Sequence, residues 1–384
     1  MSAPFSLSSK LPATGTTIFT VMSKLATDLG AINLSQGFPD FDCDPALIDA
    51  VTRYMREGRN QYAPMQGVPA LRQAISAKYD TFHSRRYDPD TEVTVTSGGT
   101  EAIFDAVTAV LQPGDEAIIL EPCYDCYLPA IELCGGVPVA IPLQLPDYSI
   151  DWDAIRQAIT SRTRVIIINS PHNPTGAIMT TEDVRELTSI VSGTNIVIVS
   201  DEVYEHLIFD GAQHESMARH QELAARSFIV GSFGKTYHVT GWKVGYAVAP
   251  AALTAEFRKV HQFVTFSTIT PVQLAIADVL ATQAGLRELG PFFQAKRDLF
   301  LRLMNGSRFR ALPCGGSYFQ LMDYSDISRE EDVDFAVRVT KEHGVASIPT
   351  SPFLSRSKAP RVLRFCFAKK DDTLEKAAER LRRI

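Results

Sequence analysis

The chain lacks the features that mark a nucleic-acid-binding, membrane-spanning or disulfide-built protein. Its 384 residues carry a formal net charge of -6 and contain no lysine- or arginine-rich run, so no basic field is present to attract a polyanion, and nucleic acid is not an expected partner. No apolar run approaches the ~20 residues that cross a bilayer, and the first twenty residues hold no apolar stretch of signal-peptide length. The expectation is a cytoplasmic protein with no membrane partner. Cysteine is sparse at six residues, which implies no disulfide framework. Cys123 and Cys126 form a lone C-x-x-C that is open to a redox or half-zinc reading, but no second pair completes a metal cluster and no metal is expected.

One further absence removes a nucleotide-hydrolase reading. Gly234-Lys235-Thr236 ends like a phosphate-binding G-x-x-x-x-G-K-[ST] loop, but the glycine required at its start is Ile229.

What is present is an ordinary globular composition, 45% hydrophobic and 21% charged, over a length that suits two domains. Helical spacing runs over 17–29, 45–55 and 69–82. From residue 92, β-rich segments at 93–96, 117–120, 137–143, 165–169, 196–200, 228–230 and 244–248 alternate with helices. That rhythm predicts an α/β domain with a mostly parallel sheet, whose ligands collect beyond the carboxyl ends of the strands. Beyond about 284, a helix, strands near Arg308 and over 316–320, a helix near 331–342, a strand at 362–366 and a last helix at 374–381 predict a smaller α+β unit. The expected division is 1–45 as an N-terminal arm and part of the small domain, 46–283 as the large domain and 284–384 as the small C-terminal domain.

Chemistry-bearing residues follow these strands. Lys235 comes after the apolar strand Phe228-Ile-Val230, with Gly231 and Gly234 read as a turn that exposes it; a surface turn with two solvated lysines, Lys235 and Lys243, is the plain alternative. Ser97-Gly98-Gly99-Thr100 exposes backbone N–H groups at a helix start, as an anion site needs, although tight turns also use glycine for steric reasons. Tyr124 and Tyr127 place rings at the sheet mouth, Tyr127 fitting core packing equally well. Asn173 sits in a loop stiffened by Pro171, Pro174 and Gly176. Asp201 and Tyr204 reach the same edge, where a lone aspartate is often a helix cap. Tyr62, in a polar loop, either reaches a neighbour or caps its own domain.

An anion site, a ring platform, an acid, a phenol and a lysine suit pyridoxal phosphate chemistry. The ordered motifs LSQGFPDF, NQYAPMQG, PHNPTG, SDEVYEH, SFGKTYHVTGWKVGY and RFCFAKK cover nearly the whole chain, which resembles the fold-type I, class I aminotransferases and, within them, the methionine and kynurenine aminotransferase branch. The resemblance implies a pyridoxal 5'-phosphate enzyme with Lys235 as Schiff-base lysine and proton carrier. It implies Asp201 at the pyridine nitrogen, Asn173 and Tyr204 at the ring oxygen, and Tyr124 on the ring face. Gly98, Gly99, Thr100, Ser232 and Lys243 would hold the phosphate, joined by Tyr62 from the second subunit of a homodimer. Arg364, assisted by the Gly37 backbone, would clamp the substrate carboxylate.

Dicarboxylate-specific relatives place an arginine within the segment equivalent to 262–271, and none is present here. With Phe266, Ile269, Ile18 and Phe19 as candidate lining, where core packing would account for them as easily, the resemblance implies ping-pong exchange between an uncharged amino acid (methionine, aromatic, histidine or glutamine) and a 2-oxo acid. Cysteine-S-conjugate β-elimination on the same site is the alternative.

Overall fold

A computed structural model describes residues 7–355 and 359–384. Seven strands form the central sheet: β1 Val93–Thr96, β2 Glu116–Glu121, β3 Val137–Pro142, β4 Thr163–Asn169, β5 Val197–Asp201, β6 Ser227–Ser232 and β7 Gly245–Val248. Their order is β1-β7-β6-β5-β4-β2-β3. β7 runs against both neighbours, and every other pairing is parallel. The middle strands are continuous apolar runs because helices cover both faces of the sheet.

Strand alternation divides the sheet's side chains between two cores. Ile118, Ile166, Ile198 and Ile229 pack with helices Pro45–Arg56, Pro69–His83 and Thr270–Thr282 on one face. Ile119, Ile167, Val199 and Val230 pack with helices Gly99–Val110 and Ala251–Val264 on the other. A third core joins the two ends of the chain, combining Met22 and Leu34 with Phe293, Phe319, Phe365 and Leu374. Around it lies a small antiparallel sheet of β8 Arg310–Ala311, β9 Phe319–Asp323, β10 Ile348–Pro349 and β11 Val362–Cys366. Ile32–Asn33 pairs in parallel with Val345–Ala346 and ties the N-terminal segment to this core.

Three local expectations shift. The strand expected over 316–320 begins at Phe319, because Gly315 and Gly316 both donate to the Gly176 carbonyl and Ser317 turns the backbone at φ +64°. The helix expected near 331–342 is Asp332–Arg338, followed by a wider turn through His343 that ends at Gly344 with φ +67°. Gly231 lies inside β6 and makes no turn. It is cross-strand partner to Tyr246, and a Cβ there would fall 2.1 Å from the Tyr246 ring.

The freed space lets the Tyr246 phenol donate to Glu205 Oε1 at 2.8 Å, beside the buried Lys78–Glu205 ion pair at 2.5 Å. Among the described residues no helix is long and apolar enough to cross a membrane. Gly231→Ala must displace this ring, so it should destabilise the fold by about 1–3 kcal/mol, read as a lowered denaturant midpoint with an unchanged slope.

Candidate active site at the carboxyl edge of the sheet

β6 ends at Ser232 and passes into the single helical turn Phe233–Thr236, which points Lys235 into a cleft of about 740 Å³, its open mouth included. The lysine Nζ donates to the Gly37 carbonyl at 3.1 Å and to the Tyr318 hydroxyl at 2.9 Å, above the rings of Tyr204 and Tyr318. Burial pushes its pKa down to about 8. The charges of Arg364 and Lys243 act in the same direction, while Asp201 opposes them.

Asp201, at the end of β5, lines the same cleft and is 3% exposed. Burial raises its carboxyl to about 6 although Tyr127 donates to Oδ2 at 2.6 Å and the Val203 N–H to Oδ1 at 3.3 Å. A carboxylate in that state is stabilised further by any cation brought against it. Tyr204 is 2% exposed, and burial holds its phenol neutral. Asn173 receives the Arg364 Nη1 at Oδ1 (2.7 Å), which leaves its amide N–H groups as its donors to the cleft.

The floor of the cleft is an anion cup. Gly98, at φ +83°, precedes helix Gly99–Val110, so Gly99 and Thr100 open that helix with free N–H groups. Lys243, itself at φ +54°, brings Nζ to 3.0 Å from where a Gly98 Cβ would stand. Ser232 completes the cup, and the Thr100 and Tyr124 hydroxyls meet at 3.3 Å.

Arg364 on β11 is 1% exposed. Its guanidinium stacks 3.9 Å from the Phe319 ring, donates from Nη2 to the Ser35 carbonyl at 2.8 Å, and leaves Nε without a partner. Burial lowers its pKa to about 10. Ile18 lines an adjoining cleft that shares Thr100 and Tyr124 with the first, and Phe19 lies 5.1 Å from the Arg364 guanidinium.

Three expected residues, Tyr62, Phe266 and the half-exposed Ile269, do not reach the cleft within this chain. Tyr62 is 86% exposed and packs edge-on against Phe266, itself 42% exposed, at 5.6 Å. Sequence reasoning also missed residues that support the site. Tyr318 holds Lys235, and Tyr127, for which core packing was left open, holds Asp201. Behind the cup, Glu101 accepts the Ser97 N–H and the His261 ring at 2.7 Å, with Asp105 alongside. Although burial lowers it, bonds to Asp105 and Glu101 keep His261 up at about 9. Glu101 and His261 stand 160 residues apart, so spacing alone gave no signal. The described cysteines are all free, and burial pushes the thiols of Cys123 and Cys126 up.

An anion cup, a buried carboxylate, a flat aromatic wall and a lysine of lowered pKa around one space can hold a planar phosphorylated group and move protons beside it. The model of the class I and II aminotransferases matches residues 30–381, and the chain belongs to that family. It is a pyridoxal-phosphate-dependent aminotransferase that acts on amino and 2-oxo acids. Among its relatives, the methionine aminotransferase of Escherichia coli K12 is 48% identical over 377 residues, covering 98% of each chain. A solved Escherichia coli structure with a methionine aminotransferase function superposes with a TM-score of 0.97 at 48% identity, over 99% of this chain and 100% of that one. Kynurenine–oxoglutarate transaminase 3 of Rattus norvegicus is 33% identical over 393 residues, 94% of this chain and 87% of its own.

Gly98→Ala strains a left-handed position and pushes a methyl group against Lys243. We expect its cofactor affinity, measured by reconstitution with pyridoxal phosphate, to fall at least about tenfold while far-UV circular dichroism is retained.

Proposed function

We propose that the chain exchanges amino groups between an uncharged amino acid and a 2-oxo acid by a ping-pong mechanism, with Lys235 as the reactive amine. The observation that carries this reading is the meeting of Lys235, Asp201 and the Gly98–Lys243 cup around one cleft, with Arg364 bonded to Asn173 in its wall. Pyridoxal phosphate supplies an aldehyde and an electron-withdrawing ring that acidifies the substrate's α C–H bond.

The chain's own residues supply the rest. Gly98, Gly99, Thr100, Ser232 and Lys243 bind the phosphate, and the Asp201 carboxylate keeps the ring nitrogen protonated. Asn173 and Tyr204 would donate to the ring oxygen, and Tyr124 would cover a face and exclude water. Arg364, held flat by Phe319 and tied to Asn173, would fix the substrate carboxylate and so orient the α-carbon for Lys235. Lys235 takes up that proton only as the free amine. With its pKa near 8, the acid limb of the kcat profile rises with pH through that region.

For the side chain, Ile18 and Phe19 beside Arg364 support an apolar or aromatic substrate, as does the name of the Escherichia coli relative. Methionine and aromatic amino acids lead the expected donors, with histidine and glutamine in the same class. The exposed apolar surface of Tyr62, Phe263, Phe266 and Ile269 supports a homodimer in which Tyr62 reaches the partner's phosphate and Phe266 lines the partner's pocket. The division into the 1–45 arm, a large domain over 46–283 and a small domain over 284–384 is part of this proposal; the core of the chain ends also takes in Tyr204, Leu207 and Phe209, and the large-sheet core takes in Leu286 and Leu321. Six free thiols suit the cytoplasm.

Borohydride should fix the cofactor to Lys235, located by peptide mass spectrometry, and Lys235→Ala should lose at least about 10³-fold in kcat. Arg364→Ala should lose about 10- to 150-fold in kcat/KM, with cofactor absorbance retained. In a panel of donors against several 2-oxo acids, methionine should exceed aspartate at least about 100-fold. Pyruvate released with free ammonia from cysteine conjugates would instead mark elimination.

A further inference from the structure

Tyr318 is fully buried, and its phenol completes a triangle of hydrogen bonds around the Lys235 amine. It donates to the Gly37 carbonyl at 2.5 Å, while Lys235 Nζ donates to the Tyr318 oxygen at 2.9 Å and to Gly37 at 3.1 Å. Each corner comes from a different part of the chain: the N-terminal segment, the turn after β6, and the residue preceding β9.

The two partners of the lysine are tightly packed. The rings of Phe319, Tyr204 and Phe293 surround Tyr318 at 4.9, 5.0 and 5.7 Å between centroids. A Cβ on Gly37 would lie 2.6 Å from the Phe319 ring, so only glycine lets that carbonyl come so close to the lysine. The arrangement can serve both protonation states of the amine. The Gly37 carbonyl only accepts, whereas the Tyr318 hydroxyl accepts from the ammonium or, by rotating its hydrogen, donates to the free amine.

We infer that Tyr318 is a positioning residue for the reaction: together with the Gly37 carbonyl it forms the resting place of the Lys235 amine whenever that amine is not joined to the cofactor. This rests on the proposed role of Lys235. A lysine on four rotatable bonds, released partway through each half-reaction, must stay near the substrate's α-carbon, and two fixed partners confine it there. Burial keeps the phenol itself neutral, so it contributes a dipole and no charge. The charged and titratable groups that bear on Lys235, namely Arg364, Lys243, Asp201 and Cys366, are unchanged when only the hydroxyl is removed.

Tyr318→Phe keeps the ring and its packing and deletes one acceptor of the ammonium. In full-length holoenzyme, kcat should fall about tenfold with KM changed less than about threefold. The acid limb of the kcat profile should move about half a unit or more to lower pH, because the bond lost by the charged amine is charge-assisted and stronger than the one lost by the free amine. With the cofactor held in its amine form, the pH midpoint for acylation of Lys235, followed by mass spectrometry, should move the same way. Unchanged midpoints in both measurements would overturn the inference. So would a parallel loss of kcat, KM and cofactor retention, which marks a structural role. Borohydride labelling of a lysine other than Lys235 in the unaltered enzyme would instead overturn the reading of the site itself.

Discussion

Two cations stand close to one cleft, Lys235 half-buried in its wall and Arg364 fully buried behind Asn173, and among the described residues neither is paired with a carboxylate within ion-pair distance. Removing charges from water without a counter-ion is among the least favourable arrangements a fold can hold. The shifted pKa values express that cost, at about 8 for the lysine and about 10 for the arginine. The same cost makes the cleft selective, because an anion entering it restores stabilisation that the protein withheld. A phosphate and a carboxylate are the anions that the family's cofactor and substrates carry.

Such a cleft requires a stiff surround, and the bonds that fix it cross between cores. Arg364 belongs to the small sheet yet bonds Asn173, in the loop after β4 of the large one. Lys235 belongs to the large sheet yet bonds Gly37 and Tyr318, which pack with the core built from the two chain ends. Any rotation of one core against the other would break both links together. Phe319 serves on both sides, stacking on the guanidinium and excluding a Cβ from Gly37.

The sequence made legible what depends on local pattern. Long apolar runs such as Val165–Ile168 specify doubly covered strands, and each strand end carries its polar residue within a few positions, which is why Asp201, Asn173, Lys235 and the Gly98–Thr100 turn could be read directly. What escaped depends on register. Gly231 reads as a turn glycine until β7 is laid antiparallel against it and Tyr246 fills the space. Tyr318 reads as one more aromatic in a strand until Ser317 kinks the backbone and turns the phenol to the lysine. The Glu101–His261 contact joins helices with no sequence relation at all.

Tyr62 and Phe266 also show why a motif can be sound while one chain leaves it unassembled. They pack on each other beside Phe263, itself 85% exposed, and Ile269, 52% exposed. Residues this apolar gain about 25 cal/mol for each Å² removed from water, so exposing several of them favours covering by another surface. Phe266 is moreover held at φ +68°, a conformation a bulky side chain adopts only under constraint. Aminotransferases are typically dimeric, and in the homodimer proposed above a second copy would be the surface that covers these rings.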